Sequence, residues 1–212
     1  LFSCDAMFGM HNMPGKPAGK FVAVPGFAMA SSDSAIITVR GKGGHGAMPQ
    51  AACDPVVAAS AIVMSLQTIV SRNVPPLEMG IVTVGAFHSG EAPNVIPDEA
   101  ELRLTIRAFN PKVRDLLEQR IREIAQAQAA VYGATATVQY DRRYPVLQND
   151  PAQTEFCKQV VRDWLGDDGV LDVKEPVTGS EDFAFFLEKV PGCYVFIGNG
   201  EGNDGGCMVH NP

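Results

Sequence analysis

Four histidines, His11, His45, His88 and His210, are the residues of this sequence best suited to metal or proton chemistry. Near neutral pH an imidazole is both the commonest metal ligand and a ready hydrogen-bond donor. His11 lies in Phe8 to Gly15 (FGMHNMPG), where an apolar, strand-like run ends in turn residues, so its ring is expected at a strand mouth where sites are built. His210 lies in Cys207 to Pro212 (CMVHNP), after the glycine-rich, loop-like stretch 198–206. Two such histidines from separate segments can converge on a metal ion. No HxH or HExxH spacing is present, so at each position a hydrogen-bonded structural histidine stays open as the alternative.

His45 lies in Gly41 to Pro49 (GKGGHGAMP). The glycines around it let the backbone approach a ligand closely, and an imidazole there can polarise a carbonyl oxygen. A plain turn is the other reading of the same composition. His88, in Phe87 to Gly90 (FHSG), reads as a turn residue near solvent.

These residues need elements to hold them. Three helix starts are written as a capping side chain followed by proline: Asp54-Pro55, Asn110-Pro111 and Asp150-Pro151. They predict helices over 55–71, 111–132 and 151–165, the last two stopped by Gly133 and Gly166. A fourth helix is expected from Ser180 to just before Pro191, with Glu181 and Asp182 in its positive first turn. Strand-like runs fall at 35–40, 79–87, 99–109, 134–140 and 193–197. The middle of the chain thus runs strand, helix, strand, strand, helix, strand, the split βαβ pattern of a ferredoxin-like α+β domain. That places an inserted domain at 33–145 within a larger α/β unit made of 1–32 and 146–212.

The 212 residues carry a net charge of -7 with lysine and arginine spread thinly, which speaks against a nucleic-acid partner. The longest apolar stretch, 55–70, is interrupted by Ser60, Ser65, Gln67 and Thr68, so no membrane span is expected. Five scattered cysteines with no CxxC pair point to reduced thiols and a cytoplasmic setting. The opening residues, LFSCD, have none of the marks of a secretory signal, and the chain is expected to begin mid-structure.

Five segments in order resemble the dinuclear metal amidohydrolases that include hippurate hydrolases, aminoacylases and plant auxin-conjugate hydrolases. They are FGMHNMPG at 8–15, GKGGHGAMP at 41–49, APNVIPD at 92–98 with Arg107 to Phe109, TGSEDF at 178–183, and VHNP at 209–212. The resemblance covers the chain and corresponds to the C-terminal two-thirds of such an enzyme. It implies a zinc-peptidase-like α/β catalytic domain interrupted by a dimerising lid. His11 and His210 would each contribute to one ion of a two-metal centre, with zinc the first expectation and manganese, cobalt or nickel the alternatives. His45 would match a lid histidine that stabilises the oxyanion in the partner's active site. Asn94 would lie near the substrate, and Arg107 would take its free carboxylate. Gly179 and Ser180 would line that pocket, with Ser180 alternatively a helix cap.

The implied substrate is a small N-acyl amino acid, cut to a carboxylic acid and a free amino acid by a homodimer. A further ligand pair and a Glu-Glu pair, one of whose members is the general base, precede the His11 segment in the family and match nothing here. The chain alone is therefore expected to be inactive. A dipeptidase or carboxypeptidase with the same metal centre, or a non-catalytic dimerisation fragment, are the competing readings.

Overall fold

The computed structural model describes residues 3–200. Its elements in chain order are β1 (Met7–Met13), β2 (Phe21–Val22), β3 (Gly26–Met29), β4 (Ser32–Arg40), β5 (Gly44–His45), α1 (Pro55–Thr68), β6 (Gly80–His88), β7 (Val95–Ile96), β8 (Glu99–Ala108), α2 (Pro111–Val131), β9 (Thr135–Tyr144), β10 (Leu147–Asn149), α3 (Pro151–Leu165), α4 (Ala184–Leu187) and β11 (Gly192–Gly198). The chain divides into two compact units, one formed by the residues up to Ala30 with those from Tyr144 onward, the other Ser31–Arg143.

The three proline-marked helices begin as their caps dictate. Asp54 accepts from the backbone N–H groups of Val56 and Val57, Asn110 from Lys112, and Asp150 from Gln153. The helix expected from Ser180 is reduced to the single turn of α4, which has no side-chain cap. Its intended first turn is used otherwise: Glu181 accepts a hydrogen bond from the Tyr194 hydroxyl at 2.7 Å, and the Phe183 ring lies 5.3 Å from that of Tyr194.

In the Ser31–Arg143 unit the sheet order is β6-β8-β4-β9, with β8 antiparallel to both β4 and β6. Along β4 and β8 every second side chain is buried. Ile37, Val39, Leu102, Leu104 and Ile106 form one core with Ile62 and Leu66 of α1 and Leu117 and Ile121 of α2. Both helices therefore cover one face, and Arg107, between buried Ile106 and Ala108, belongs to the other. The helical run Pro55–Asn73 is long and apolar enough to cross a membrane by length and composition, because α1 continues past Thr68 as one π-helical turn. Ala58, Ala59, Ile62, Leu66 and Ile69 are nonetheless buried in this core.

At the start of the same sheet, the Asp33 carboxylate is fully buried and holds Arg114 of α2 through two hydrogen bonds of 2.5 and 2.9 Å. It also accepts from the Tyr140 hydroxyl at 3.0 Å and the backbone N–H of Arg143 at 3.3 Å. A buried charge is tolerated when it is paired and its remaining lone pairs are used in this way.

In the other unit β1 pairs in parallel with β11, and β11 pairs antiparallel with β2. One face of this sheet packs Cys193 and Val195 with Ala23, Phe21 and Cys157, the last of these on α3. The other packs Tyr194 and Phe196 with Val22, Val24, Leu147 and Ala184. Asn149, fully buried, ties β10 to this sheet by donating to the Val24 and Tyr194 carbonyls and accepting from the Tyr194 N–H. Cys4, Cys53, Cys157 and Cys193 are free thiols.

Candidate functional site

His11 sits within β1, two residues before its end, opposite Phe196 of β11. Its Nδ1–H donates to the carbonyl of Asn12 at 2.6 Å. In the neutral ring this contact puts the proton on Nδ1 and leaves the Nε2 lone pair for a ligand, the tautomer that a metal-binding histidine needs. The ring lines a cavity of about 190 Å³ with Asn12, Met29, Gly179, Ser180 and Glu181. Of the residues the sequence singles out, the structure thus brings His11, Gly179 and Ser180 together. His210 lies outside the described residues. A borderline divalent ion suits the Nε2 of His11, but among the described residues no three histidine, cysteine, aspartate or glutamate side chains cluster to complete a centre.

Glu181 has no role in the sequence reading beyond a helix first turn, yet it faces this cavity. Tyr194 and the backbone N–H of Asp182 donate one hydrogen bond to each of its oxygens, which orients the carboxylate. The phenol is held protonated to unusually high pH by burial and by the Glu181 carboxylate beside it. The signal was present in the GSEDF segment, but the partner that gives it meaning is thirteen residues away. An adjoining hollow of about 490 Å³ shares Met13, Val177 and Phe196 with the His11 cavity.

In the Ser31–Arg143 unit, His45 and Asn94 are brought together. Strand β5 pairs with β7, placing His45 opposite Val95, and the Gly46 N–H donates to the Asn94 carbonyl at 2.8 Å. The glycines here are required by close packing: a Cβ on Gly43 would stand 2.7 Å from the Ile96 carbonyl oxygen, and one on Gly46 3.0 Å from that of Asn94. Nδ1 of His45 accepts from the Ala47 N–H at 3.0 Å. Its proton is therefore on Nε2, the reverse of His11, and the exposed ring offers a hydrogen-bond donor.

Arg107 is not near that pair. It lies opposite Ile81 toward the far end of β8, while Asn94 precedes the strand's start at Glu99. Arg107 lies eight residue steps along the strand from Glu99, roughly 26 Å at about 3.3 Å per step. His88 closes β6 as an exposed residue opposite Glu101.

The comparisons agree with this architecture. Hippurate hydrolase of Campylobacter jejuni subsp. jejuni is 38% identical over 198 residues, covering 93% of this chain and 52% of that protein. Thermostable carboxypeptidase 2 of Saccharolobus solfataricus is 34% identical over 208 residues, 98% of this chain and 52% of its own length. A crystal structure from methicillin-resistant Staphylococcus aureus superposes with a TM-score of 0.89 at 33% identity, over 98% of this chain and 53% of that one. Another, a dinuclear metal-binding peptidase from Bacillus subtilis, gives 0.78 at 32% identity over 98% and 51%. The chain spans about half the length of the curated relatives it matches, less than the two-thirds its motifs suggest. All 212 residues match one family description, and the chain belongs to Peptidase family M20/M25/M40.

Proposed function

We propose that this chain is the part of a metal-dependent N-acyl-amino-acid amidohydrolase that carries two metal ligands of the catalytic unit, a substrate-lining loop and the lid. The observation that carries the reading is the hydrogen bond from His11 Nδ1 to the Asn12 carbonyl, which in the neutral ring leaves the Nε2 lone pair for a ligand, at a residue that lines a cavity with Gly179 and Ser180. His11, and His210 beyond the described residues, would each hold one of two divalent ions, zinc in the first instance. When bound, such a pair supplies an activated water and polarises the scissile carbonyl.

Residues of this chain act on the substrate. His45 donates through Nε2–H to the oxygen that becomes negative during attack, with Asn94 beside it. Arg107 takes the substrate carboxylate with its planar fork of donors. The separation of Arg107 from His45 along β8 is too long for one small substrate to touch both within one chain. This supports a homodimer in which residues 33–145 act as an inserted lid and His45 serves the partner's site. The general base is assigned to no residue of this chain.

The test is hydrolysis by a family-length protein containing this chain, loaded with zinc, against hippurate and against dipeptides with a free amino end. Turnover of hippurate well above that of dipeptides is expected. A preference for the peptides would overturn the acyl-amino-acid reading in favour of the peptidase one, which the carboxypeptidase-named relative supports.

A further inference from the structure

Two large apolar side chains stand beside the imidazole of His45. In the β5-β7 ladder His45 is directly opposite Val95. Opposed residues of an antiparallel pair leave the sheet on the same face, with their Cβ atoms roughly 5 Å apart. The chain then turns back at once: the Met48 N–H donates to the His45 carbonyl at 2.8 Å, which closes a β-turn and returns Met48 to the histidine. Met48 is 51% exposed and Val95 54%.

The surroundings of this pair are uncharged and fixed. From Gly43 to Ala52 and from Ala92 to Pro97 there is no aspartate, glutamate, lysine or arginine. The Gly46 N–H is held by the Asn94 carbonyl at 2.8 Å and the Gly43 N–H by the Asp98 carboxylate at 2.7 Å, so both apolar side chains are carried on a tied backbone. A ligand that meets them loses little freedom of the loop, and the gain is the burial of hydrocarbon.

We infer that Val95 and Met48 bind the acyl group of the substrate and set a preference for aryl and longer alkyl acyl groups over acetyl. The inference rests on the reading of His45 as the oxyanion donor. During attack the former carbonyl carbon carries four groups: the oxyanion, the attacking oxygen, the leaving nitrogen and the acyl chain. The oxyanion meets the Nε2–H of His45, and the attacking oxygen belongs to the metal side. The nitrogen carries the amino acid, whose carboxylate goes to an arginine, and Arg107 of the same chain is far from His45 along β8. Of the four, the acyl chain is left to meet the apolar pair that flanks the imidazole.

The test uses the zinc-loaded family-length protein containing this chain and two substrate series. One varies the acyl group on glycine (acetyl, butanoyl, hexanoyl, benzoyl), and the other varies the amino acid under benzoyl (glycine, alanine, leucine). Val95→Thr keeps the branched shape that suits a strand, and Met48→Gln keeps the unbranched length, so both variants should retain the parent's circular dichroism. The benzoyl-to-acetyl ratio of kcat/KM is expected to fall by roughly tenfold in the double variant, while the ratios within the amino-acid series stay as they were. Equal losses on every acyl group, as from a weakened subunit contact, or a change confined to the amino-acid series would overturn the assignment while leaving the amidohydrolase reading in place. Failure of the parent protein to cut any acylglycine would remove that reading, and this inference with it.

Discussion

The backbone N–H of Ala47 donates to Nδ1 of His45 at 3.0 Å, so the imidazole carries its proton on Nε2 and presents it outward. His11 is arranged the other way, with Nδ1–H on the Asn12 carbonyl. One ring is prepared to donate a proton in a hydrogen bond and the other to donate an electron pair.

That difference separates two variants of a family-length protein. His45→Ala should leave metal content unchanged and lower kcat by roughly 100-fold, the scale of losing one oxyanion donor. His11→Ala should lower metal content and activity together. Metal analysis beside steady-state kinetics reads both, and a His45→Ala protein that loses its metal would contradict the division of roles.

Metal affinity of the chain by itself should be weak. Structural and catalytic zinc sites use three or four protein ligands, and His11 has no cluster of partners among the described residues. Equilibrium dialysis of the chain against zinc should show no retention after a chelator wash. Two ions retained per chain would mean that ligands beyond His11 and His210 are present.

What the sequence made legible follows from how local its signals were. Asp54, Asn110 and Asp150 each cap within three residues of themselves, so the helices they start are found where the sequence places them. Glu181 was misread because its partner, Tyr194, is on another element; local composition suggests a helix start, and a tertiary hydrogen bond redirects it. The neighbourhood of His45 and Asn94 depends on β5 pairing with β7 across about fifty residues, which no spacing rule contains. The distance from Arg107 to that pair emerges only once β8 is known to be one uninterrupted strand.

The Asp33 network should govern both the stability and the alkaline limit of its unit. Asp33→Ala leaves Arg114 nearly buried without its carboxylate and should cost about 3 to 5 kcal/mol in urea unfolding. Tyr140 titrates well above its ordinary value, first because it is buried and then because the Asp33 carboxylate opposes a phenolate. The folded state therefore favours the neutral phenol. Its contribution is complete below the unfolded value near ~10 and falls as pH rises from there toward the folded value. Tyr194, in the other unit, is raised by burial and by Glu181 and has the same sign there. Unfolding midpoints should be flat with respect to these groups between pH 7 and about 9 and decline above pH 10. Tyr140→Phe should flatten that decline while removing the hydrogen bond to Asp33, at about 1 kcal/mol near neutrality. An unchanged alkaline slope in that variant would show that other groups set the limit.

The final prediction tests whether His45 works across a dimer. If each active site takes His11 from one chain and His45 from the other, then a His11→Ala protein and a His45→Ala protein are each defective at every site they form. In a mixed dimer the two defects segregate. One site receives both altered residues, and the other receives an intact His11 and an intact His45. Freshly exchanged mixtures of the family-length variants should therefore recover activity, up to about half of the wild-type value per mixed dimer, while neither parent alone does. The argument depends on exchange, so it must be demonstrated by native mass spectrometry on subunits of different isotopic mass. Recovery that tracks the mixed-dimer fraction supports His45 acting in trans, in keeping with the distance along β8 between Arg107 and the strand that carries it. Exchange without recovery would return His45 to its own chain, and the homodimer would lose its catalytic reason.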